Sequence, residues 1–413
     1  MLIVIGLWRI WSSASSTASD SGSTPSTSEH LGATESSTTF RAQAAVPNEM
    51  KKSFVDRGEI IPPVSGKRVA EGGGSGEAPA YAETPSPGGP TIQLNGVAGG
   101  GAHMPMIGLG TCCRPDSKGE RFVAAVKEWF GAGGVLVDTA QNYKNQPDVR
   151  KALDGLDRSK VWLTSKVAMG TVTPALVNDQ VRDNVDLSLS ELGTDRVELM
   201  LLHMAGCEDN MHKEAEEARR HFAKSGVSRR GDVDPPAAAA RCTIDAWRAL
   251  LEQQKLGKCI SVGVSNFGIR HLRAIQEAGL PLPAVNEVEF HPWISKEQKR
   301  LVEWCHRHEI AVIAYGSLGS YRLARKGGMN QVPKFIAAAA QRRGVSSHQV
   351  LLAWAMHQNV SIIPGTNKPD HMSANLATYK VKLTNSELKE FSTIKSAPKD
   401  WRDWGNIIHN LKA

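Results

Sequence analysis

The chain has 413 residues, of which 22% are charged and only six are cysteines, and its formal net charge is +7. So few cysteines in so long a chain exclude a small disulfide-built scaffold, and a reducing compartment fits best. The basic excess is scattered and forms no stripe, which argues against nucleic-acid binding and is compatible with a polyanionic small ligand.

Residues 1–90 are rich in Ser, Thr, Gly and Pro and contain few apolar runs. A segment of this composition cannot bury enough surface to offset the cost of ordering the chain, so we predict a disordered extension. Its start, MLIVIGLWRIW, is about half as long as a membrane-spanning helix and lacks the basic leader of a signal peptide. We expect a cytoplasmic protein without an integral membrane span, with organelle targeting through this segment as the alternative.

Residues 91–413 have the composition of a globular domain, in which short apolar runs alternate with helical segments. Several of the runs are continuously apolar, as are parallel strands buried on both faces, and the helices supply the crossovers between them. The pattern predicts an α/β fold, a single (β/α)8 TIM barrel. The eight predicted strands are 105–111, 134–140, 160–166, 196–203, 259–266, 284–290, 310–316 and 360–366.

The helical segments carry start and stop signals of their own. Segment 118–134 ends in glycines, which favours a helix C-terminus, and segment 173–193 has Pro174 in its first turn. Residues 204–241 form a charged insertion, which we expect either to roof the pocket or to elaborate the surface. Further helices are predicted at 243–257, at 295–308, across 331–358 and at 370–376.

A doubly wound dinucleotide-binding fold is the main structural alternative. It requires a G-x-G-x-x-G segment between its first strand and first helix. The segment GLGTCC (108–113) has only the first two of these glycines. The sequence therefore favours the barrel.

Polar side chains recur where the predicted strands end, at Asp138, Tyr143, Lys166, His203 and Tyr315. Taken singly, these residues are more often a helix cap, a packed aromatic, a surface charge or a buried imidazole. Taken together, they would meet at the carboxyl end of the barrel, where barrel enzymes place their active sites. A Tyr, Lys, His and Asp gathered there suit proton transfer to a carbonyl oxygen.

Five segments of the chain carry a family resemblance. VDTAQNYKNQPDVRKAL (137–153) places an Asp and a Tyr five residues apart. This segment is similar to the first motif of aldo-keto reductases, and the later segments occur in the order found in that family. The resemblance extends from about residue 91 to the end. The later segments, which resemble cofactor-site motifs, are VGVSNF (262–267), NEVEFHP (286–292), AYGSLGS (314–320) and IIPGTNKPDHMSANL (362–376).

The resemblance implies an oxidoreductase that reduces aldehydes or ketones to alcohols with hydride from a nicotinamide cofactor. Tyr143 would be the general acid, and Lys166 beside it would lower its pKa from the usual value of about 10. Asp138 would pair with Lys166, and His203 would orient the substrate carbonyl.

The resemblance also implies a cofactor site. Tyr315 would stack on the nicotinamide ring, and Ser265 and Asn266 would hold its carboxamide. Glu287 stands where the family usually has Gln, and a carboxylate can accept from the amide but cannot donate to it. The remaining implied cofactor-binding residues are Leu318, Ser320, Thr366, Asn367, His371 and Asn375.

The phosphate-binding motif departs from the family pattern. Where the family has Lys-Ser-x-x-x-x-Arg, this chain has Gly365, Thr366 and then His371. Two strong contacts to an adenosine 2′-phosphate are therefore missing. Lys368 could supply a replacement charge, and the N-terminus of helix 370–376 favours an anion. We expect NADPH as the cofactor, with NADH as the alternative.

Two further departures concern the substrate pocket. Cys112 and Met204 stand where the family often has bulky aromatic residues, which widens the pocket and favours a small or medium aldehyde or ketone. We expect the adjacent thiols Cys112 and Cys113 to be inert packed cysteines, with oxidation near the pocket as the alternative.

We expect no metal, since His203, Cys207 and His212, like the Cys305–His308 segment, lack the paired spacing of a zinc site. The expected protein is a monomer with a small-molecule carbonyl substrate. Two alternative functions remain, a Schiff-base aldolase that uses Lys166 and a non-catalytic, cofactor-sensing barrel subunit.

Overall fold

The computed structural model describes residues 88–169, 176–205, 235–319 and 332–394. Most of the predicted N-terminal extension and of the insertion at 204–241 lies outside these ranges, as does Pro174.

A hairpin that the sequence reasoning missed precedes the barrel. Strands β1 (Thr91–Gln93) and β2 (His103–Pro105) pair antiparallel around one helical turn, α1 (Gly96–Gly99). The turn lies against the start of a barrel strand, where the Ser261 hydroxyl donates to the Gly99 carbonyl at 2.7 Å. The hairpin therefore packs at the amino-terminal ends of the strands.

Eight parallel strands form the predicted barrel, and all eight predicted positions are confirmed. Each strand pairs with the next in chain order. The pairing joins Gly110 to Asp138 and Val264 to Asn286, so the carboxyl ends of all the strands face the same way. The strands are β3 (Gly108–Gly110), β4 (Leu136–Asp138), β5 (Trp162–Val167), β6 (Val197–Leu202), β7 (Cys259–Ser265), β8 (Val285–Glu289), β9 (Ala311–Tyr315) and β10 (Val360–Ile362).

The first and last barrel strands meet through a parallel bridge between Ile107 and Ile362. The amide of Ile362 donates to the Met106 carbonyl at 2.8 Å. We call this junction the seam of the barrel.

The helices surround the sheet with their apolar faces inward. In the first of them after the hairpin, Phe122, Val126 and Trp129 recur at helical spacing and are buried. Ser346 and Thr384 begin two later helices with capping boxes. The helices are α2 (Glu120–Gly131), α3 (Gln146–Leu153), α4 (Val177–Leu192), α5 (Pro235–Lys255), α6 (Ile269–Glu277), α7 (Lys296–Arg307), α8 (Lys334–Arg343), α9 (Ser347–His357), α10 (Pro369–Leu376) and α11 (Asn385–Ser392).

Helix α5 corrects one predicted boundary. The sequence reasoning started this helix at residue 243 and assigned the preceding VDPPAAAA to the insertion, whereas the helix begins at Pro235. Prolines are well placed in a first helical turn, where no amide donor is needed, and the alanines that follow are strong helix formers.

Within the described ranges, no helix combines the length and apolarity that crossing a bilayer requires.

Candidate active site

The predicted site residues converge at the carboxyl ends of the barrel strands. Asp138 is the last residue of β4, Lys166 lies near the end of β5 and His203 follows β6. Tyr143 ends a short 3-10 turn, Gln141–Tyr143, just after β4. The structure therefore brings the predicted tetrad together.

Lys166 and Asp138 form a buried ion pair. The Lys166 Nζ donates to Asp138 Oδ1 at 2.6 Å and Oδ2 at 2.7 Å, and to the Thr139 carbonyl at 3.2 Å. Burial alone lowers the pKa of the Lys166 ammonium, but Asp138, Glu287 and Tyr143 outweigh it, and the net pKa is raised. Lys166 therefore carries its charge throughout the physiological range.

Glu287 belongs to the same cluster. Its Oε1 lies 3.2 Å from Lys166 Nζ, and burial and the neighbouring Asp138 raise the pKa of its carboxyl group. Its Oε2 is buried and has no partner among the described residues. Because the sequence reasoning assigned Glu287 to the cofactor alone, it missed these contacts.

Tyr143 lies against both Lys166 and His203. The Lys166 Nζ is 5.1 Å from the centre of the Tyr143 ring, and the His203 ring meets it edge to face at 5.6 Å. Burial raises the pKa of the Tyr143 hydroxyl, Lys166 lowers it, and Asp138 and Glu287 raise it further. Lys166 therefore lowers the pKa as expected, but burial and two carboxyl groups outweigh it, and the net pKa of Tyr143 is raised.

His203 is a neutral imidazole at physiological pH. Burial first, and then the charge of Lys166, lower its pKa to about 3. Its Nδ1 is buried without a partner among the described residues. A neutral ring carries one N–H, which can donate to a substrate oxygen without adding charge.

A second polar network joins three of the predicted cofactor residues. The Tyr315 hydroxyl donates to Asn266 Oδ1 at 2.7 Å, and Asn266 Nδ2 donates to the Ser265 hydroxyl at 3.0 Å and to the His203 carbonyl at 3.1 Å. Asn266 has φ 62°, a left-handed conformation that asparagine tolerates better than most residues. The network orders this wall beside the tetrad.

Asn145 connects the catalytic turn to the loop after β3. Its side-chain amide donates to the carbonyls of Thr111 at 3.0 Å and Ser117 at 3.1 Å, and it accepts from the Thr139 hydroxyl at 2.9 Å. The sequence reasoning missed Asn145, although its position just before Pro147 in helix α3 marks it as a helix start.

The loops after β3 and β10 meet at Arg114, which the sequence reasoning also missed. The Arg114 guanidinium donates to the Gly110 carbonyl and to Asn367 Oδ1, both at 3.1 Å. A Cβ atom at Gly365 would lie 1.9 Å from Arg114 Nη1. Arg114 therefore occupies the space that a side chain at position 365 would need. We call the region of Arg114, Gly365 and Asn367 the phosphate edge.

The other predicted phosphate-binding residues surround that edge. Thr366 accepts from the Lys368 amide at 3.1 Å, just before α10 begins at Pro369. His371 is exposed in the first turn of that helix.

The remaining predicted positions are less constrained. Leu318 and Met204 are half-buried against the core, Asn375 is buried, and Ser320 lies outside the described residues. Cys112 is half-buried and Cys113 is exposed. Cys207 and His212 are outside the described ranges, within which no three His, Cys, Asp or Glu side chains are arranged to hold a metal ion.

Comparisons with known proteins identify relatives of this chain. The model of the aldo/keto reductase family matches residues 107–396. The NAD/NADP-dependent indole-3-acetaldehyde reductase of Schizosaccharomyces pombe is 30% identical over 296 residues, covering 70% of this chain and 91% of that protein.

Two further relatives cover similar shares. The NAD(P)H-dependent D-xylose reductase I,II of Candida tropicalis is 28% identical over 335 residues, covering 77% of this chain and 97% of that protein. The crystal structure of an aldo/keto reductase from Brucella melitensis is 25% identical with a TM-score of 0.56, covering 73% of this chain and 98% of that one. Since the family model spans most of the chain, this protein belongs to the aldo/keto reductase family of oxidoreductases.

Proposed function

We propose that this protein reduces aldehydes or ketones to alcohols, with Tyr143 as the general acid and a nicotinamide cofactor as the hydride donor. The observation that carries the proposal is the buried Asp138–Lys166 pair beside Tyr143 and the neutral His203. When bound, the cofactor supplies a hydride to the carbonyl carbon, and the protein's own residues manage the proton.

The raised pKa of Tyr143 suits a proton donor. Its hydroxyl remains protonated through neutral pH, so the proton is present when a carbonyl oxygen gains negative charge. The fixed charge of Lys166 then stabilises the phenolate that Tyr143 becomes. His203 donates its single N–H to the same oxygen and sets the orientation of the carbonyl.

The wall formed by Ser265, Asn266 and Tyr315 fits a nicotinamide. Tyr315 is half-buried at the end of β9, where its ring would stack on the nicotinamide, and Glu287 Oε2 is a buried acceptor without a partner among the described residues. A carboxamide supplies the N–H that such an atom requires.

The phosphate edge supports NADPH as the preferred cofactor. Arg114 and Lys368 provide cations in the loops after β3 and β10, and α10 directs its N-terminus to the same region. The xylose reductase and the indole-3-acetaldehyde reductase are named for the use of both phosphorylated and unphosphorylated cofactors. NADH is therefore the second candidate, and the ratio of kcat/KM with the two cofactors decides between them.

The pocket wall supports a small or medium carbonyl substrate. Cys112 and Met204 are both half-buried and smaller than the aromatic residues that the family resemblance implies at these positions. We also propose a cytoplasmic monomer; light scattering on the purified protein and fractionation of cells test these two points.

The Schiff-base alternative is disfavoured by the surroundings of Lys166. A nucleophilic lysine requires a lowered pKa, whereas two carboxyl groups hold this ammonium in its charged form. Borohydride trapping of a substrate carbonyl on Lys166 would reverse this conclusion.

Tyr143→Phe tests the proposal directly. Oxidation of NADPH is followed against 4-nitrobenzaldehyde, methylglyoxal and xylose, and we expect kcat to fall by about 10²–10⁴, the usual contribution of a positioned proton donor. Tyr379→Phe makes the same chemical change at a tyrosine outside the tetrad and should retain wild-type turnover. Unchanged turnover in Tyr143→Phe would reject the acid assignment, and cofactor binding without turnover of any carbonyl would favour the binding subunit.

A further inference from the structure

Two buried carboxyl groups share a single lysine at the reaction centre. Lys166 Nζ lies 2.6 Å from Asp138 Oδ1 and 3.2 Å from Glu287 Oε1. The side chains of Asp138, Lys166 and Glu287 are all at most 2% exposed. Lys166 is the one cation in the described part of the chain that pairs with either carboxyl group.

The charges of this cluster do not balance if both acids ionise. One ammonium would face two carboxylates, leaving an uncompensated negative charge in a site closed to water, which is costly. When two carboxyl groups occupy one site, one of them retains its proton.

The shared lysine holds the two acids side by side. Its Nζ contacts one oxygen of each carboxyl group, Asp138 Oδ1 at 2.6 Å and Glu287 Oε1 at 3.2 Å. Two carboxyl groups on the same ammonium repel each other when both are ionised, which favours a proton on one of them.

We propose that Glu287 is a positioning residue that holds one proton shared with Asp138, and that loss of this proton at alkaline pH suppresses reduction by Tyr143. The inference rests on the proposed function and deepens it. With the proton in place, the Lys166 ammonium and one carboxylate balance, and Tyr143 can release its proton towards a cation. Without it, a second negative charge faces Tyr143 and opposes formation of its phenolate.

The titratable groups that face Glu287 from β6 and β9 keep a constant charge between neutral and alkaline pH. Burial raises the pKa of Glu287 well above its usual value, with Asp138 adding to the rise. His203, after β6, is already neutral, and burial together with Glu289 and Glu287 raises the pKa of Tyr315 on β9.

On β8 itself, Glu289 lies two residues away and faces His291 at 3.4 Å. Ser265 on β7 contributes a hydroxyl group and no charge.

The sign of the effect follows from the raised pKa. The folded protein keeps the proton at neutral pH and loses it as pH rises through the raised pKa of Glu287. Wild-type kcat/KM should therefore be level at neutral pH and fall by about tenfold per pH unit above that point, as for a single essential proton.

Glu287→Gln provides the test, because an amide keeps the shape, the donor and the acceptor of a protonated carboxyl group. We expect the variant to lose the alkaline fall, so that its kcat/KM stays level over the pH range in which the wild-type value drops. Glu289→Gln makes the same change on the same face of the same strand and should keep the fall. Superimposable profiles of wild type and Glu287→Gln would overturn the proposal.

A second measurement needs no substrate and separates this proposal from the proposed function. Urea midpoints of wild type and Glu287→Gln are compared from pH 5 to pH 9. A group whose folded pKa is raised makes the folded state less stable as pH rises towards that pKa. We expect the variant to gain stability over wild type with increasing pH, and a pH-independent difference would overturn the shared proton even if no carbonyl substrate is found.

Discussion

The reaction centre and the phosphate edge lie at the same end of the barrel but are built differently. At the reaction centre, Lys166 makes three polar contacts within 2.6–3.2 Å to Asp138 and Thr139 and is fully buried. At the phosphate edge, Arg114 is half-buried, pairs with the exposed Asp116 at 3.4 Å and donates to one carbonyl and one amide oxygen. Burial holds the side chains of the reaction centre in one arrangement, whereas a different cation at the phosphate edge would not disturb the barrel core.

Lys166→Met should break the centre and produce the largest effect. The substitution removes one partner of a buried ion pair, which typically costs about 3–5 kcal/mol of stability. It also removes the charge that stabilises the Tyr143 phenolate, so we expect kcat/KM to fall by at least about 10². Carbonyl-dependent NADPH oxidation and urea unfolding measure the two losses.

Lys258→Met is the matched control for this variant. Lys258 pairs with Asp186 at the surface, where an ion pair contributes about 0–1 kcal/mol. If the two variants unfolded at the same urea concentration, or if Lys166→Met kept wild-type activity, the contrast between centre and surface would fail.

Arg114→Ala should affect the phosphate edge alone and by a smaller amount. Loss of one charged contact to a phosphate typically costs about 1.5–3 kcal/mol, so we expect KM for NADPH to rise by at least about tenfold with little change in kcat. The rise should be smaller for NADH, which lacks the 2′-phosphate. Arg121→Ala removes an exposed cation from the first turn of α2 and should leave both KM values unchanged. A fall in kcat instead of a rise in KM would place Arg114 at the reaction centre.

Gly100→Ala should leave the chemistry intact and lower only the stability of the fold. Gly100 has φ 58°, and an added Cβ would lie 2.4 Å from the Ile260 carbonyl oxygen at the opposite end of the barrel. A non-glycine residue in this conformation costs about 1–3 kcal/mol. We expect a lower melting temperature with unchanged kcat/KM.

Gly101→Ala separates the two causes of this loss, because Gly101 has φ 70° but nothing within 4 Å of an added Cβ. It should lose less stability than Gly100→Ala. A change in kcat/KM in either variant would show that the hairpin communicates with the active site.

The sequence reasoning was most successful where local pattern decides the structure. Continuous apolar runs such as 199–202 predict buried parallel strands, and polar residues at their ends follow from the geometry of a barrel. The hairpin was missed because its strands have three residues each and its turn is rich in glycine.

The contacts of the site depend on residues that are distant in sequence. Arg114 and Asn367 are 253 residues apart, and the cluster of Asp138, Lys166 and Glu287 joins three separate strands. The direction of the Tyr143 pKa shift depends on that cluster and on burial, neither of which a single motif contains.

The seam of the barrel gives the phosphate edge a part in the folding of the chain. Ile107 and Ile362 close the barrel, and Arg114 with Asn367 spans the same junction just above them. Contacts between such distant segments are slow to form, because a long loop must close before they stabilise the chain. A dinucleotide bound across this junction would hold both ends of the barrel together and, at a hundred times its Kd, would add about 2.7 kcal/mol to the stability of the closed state.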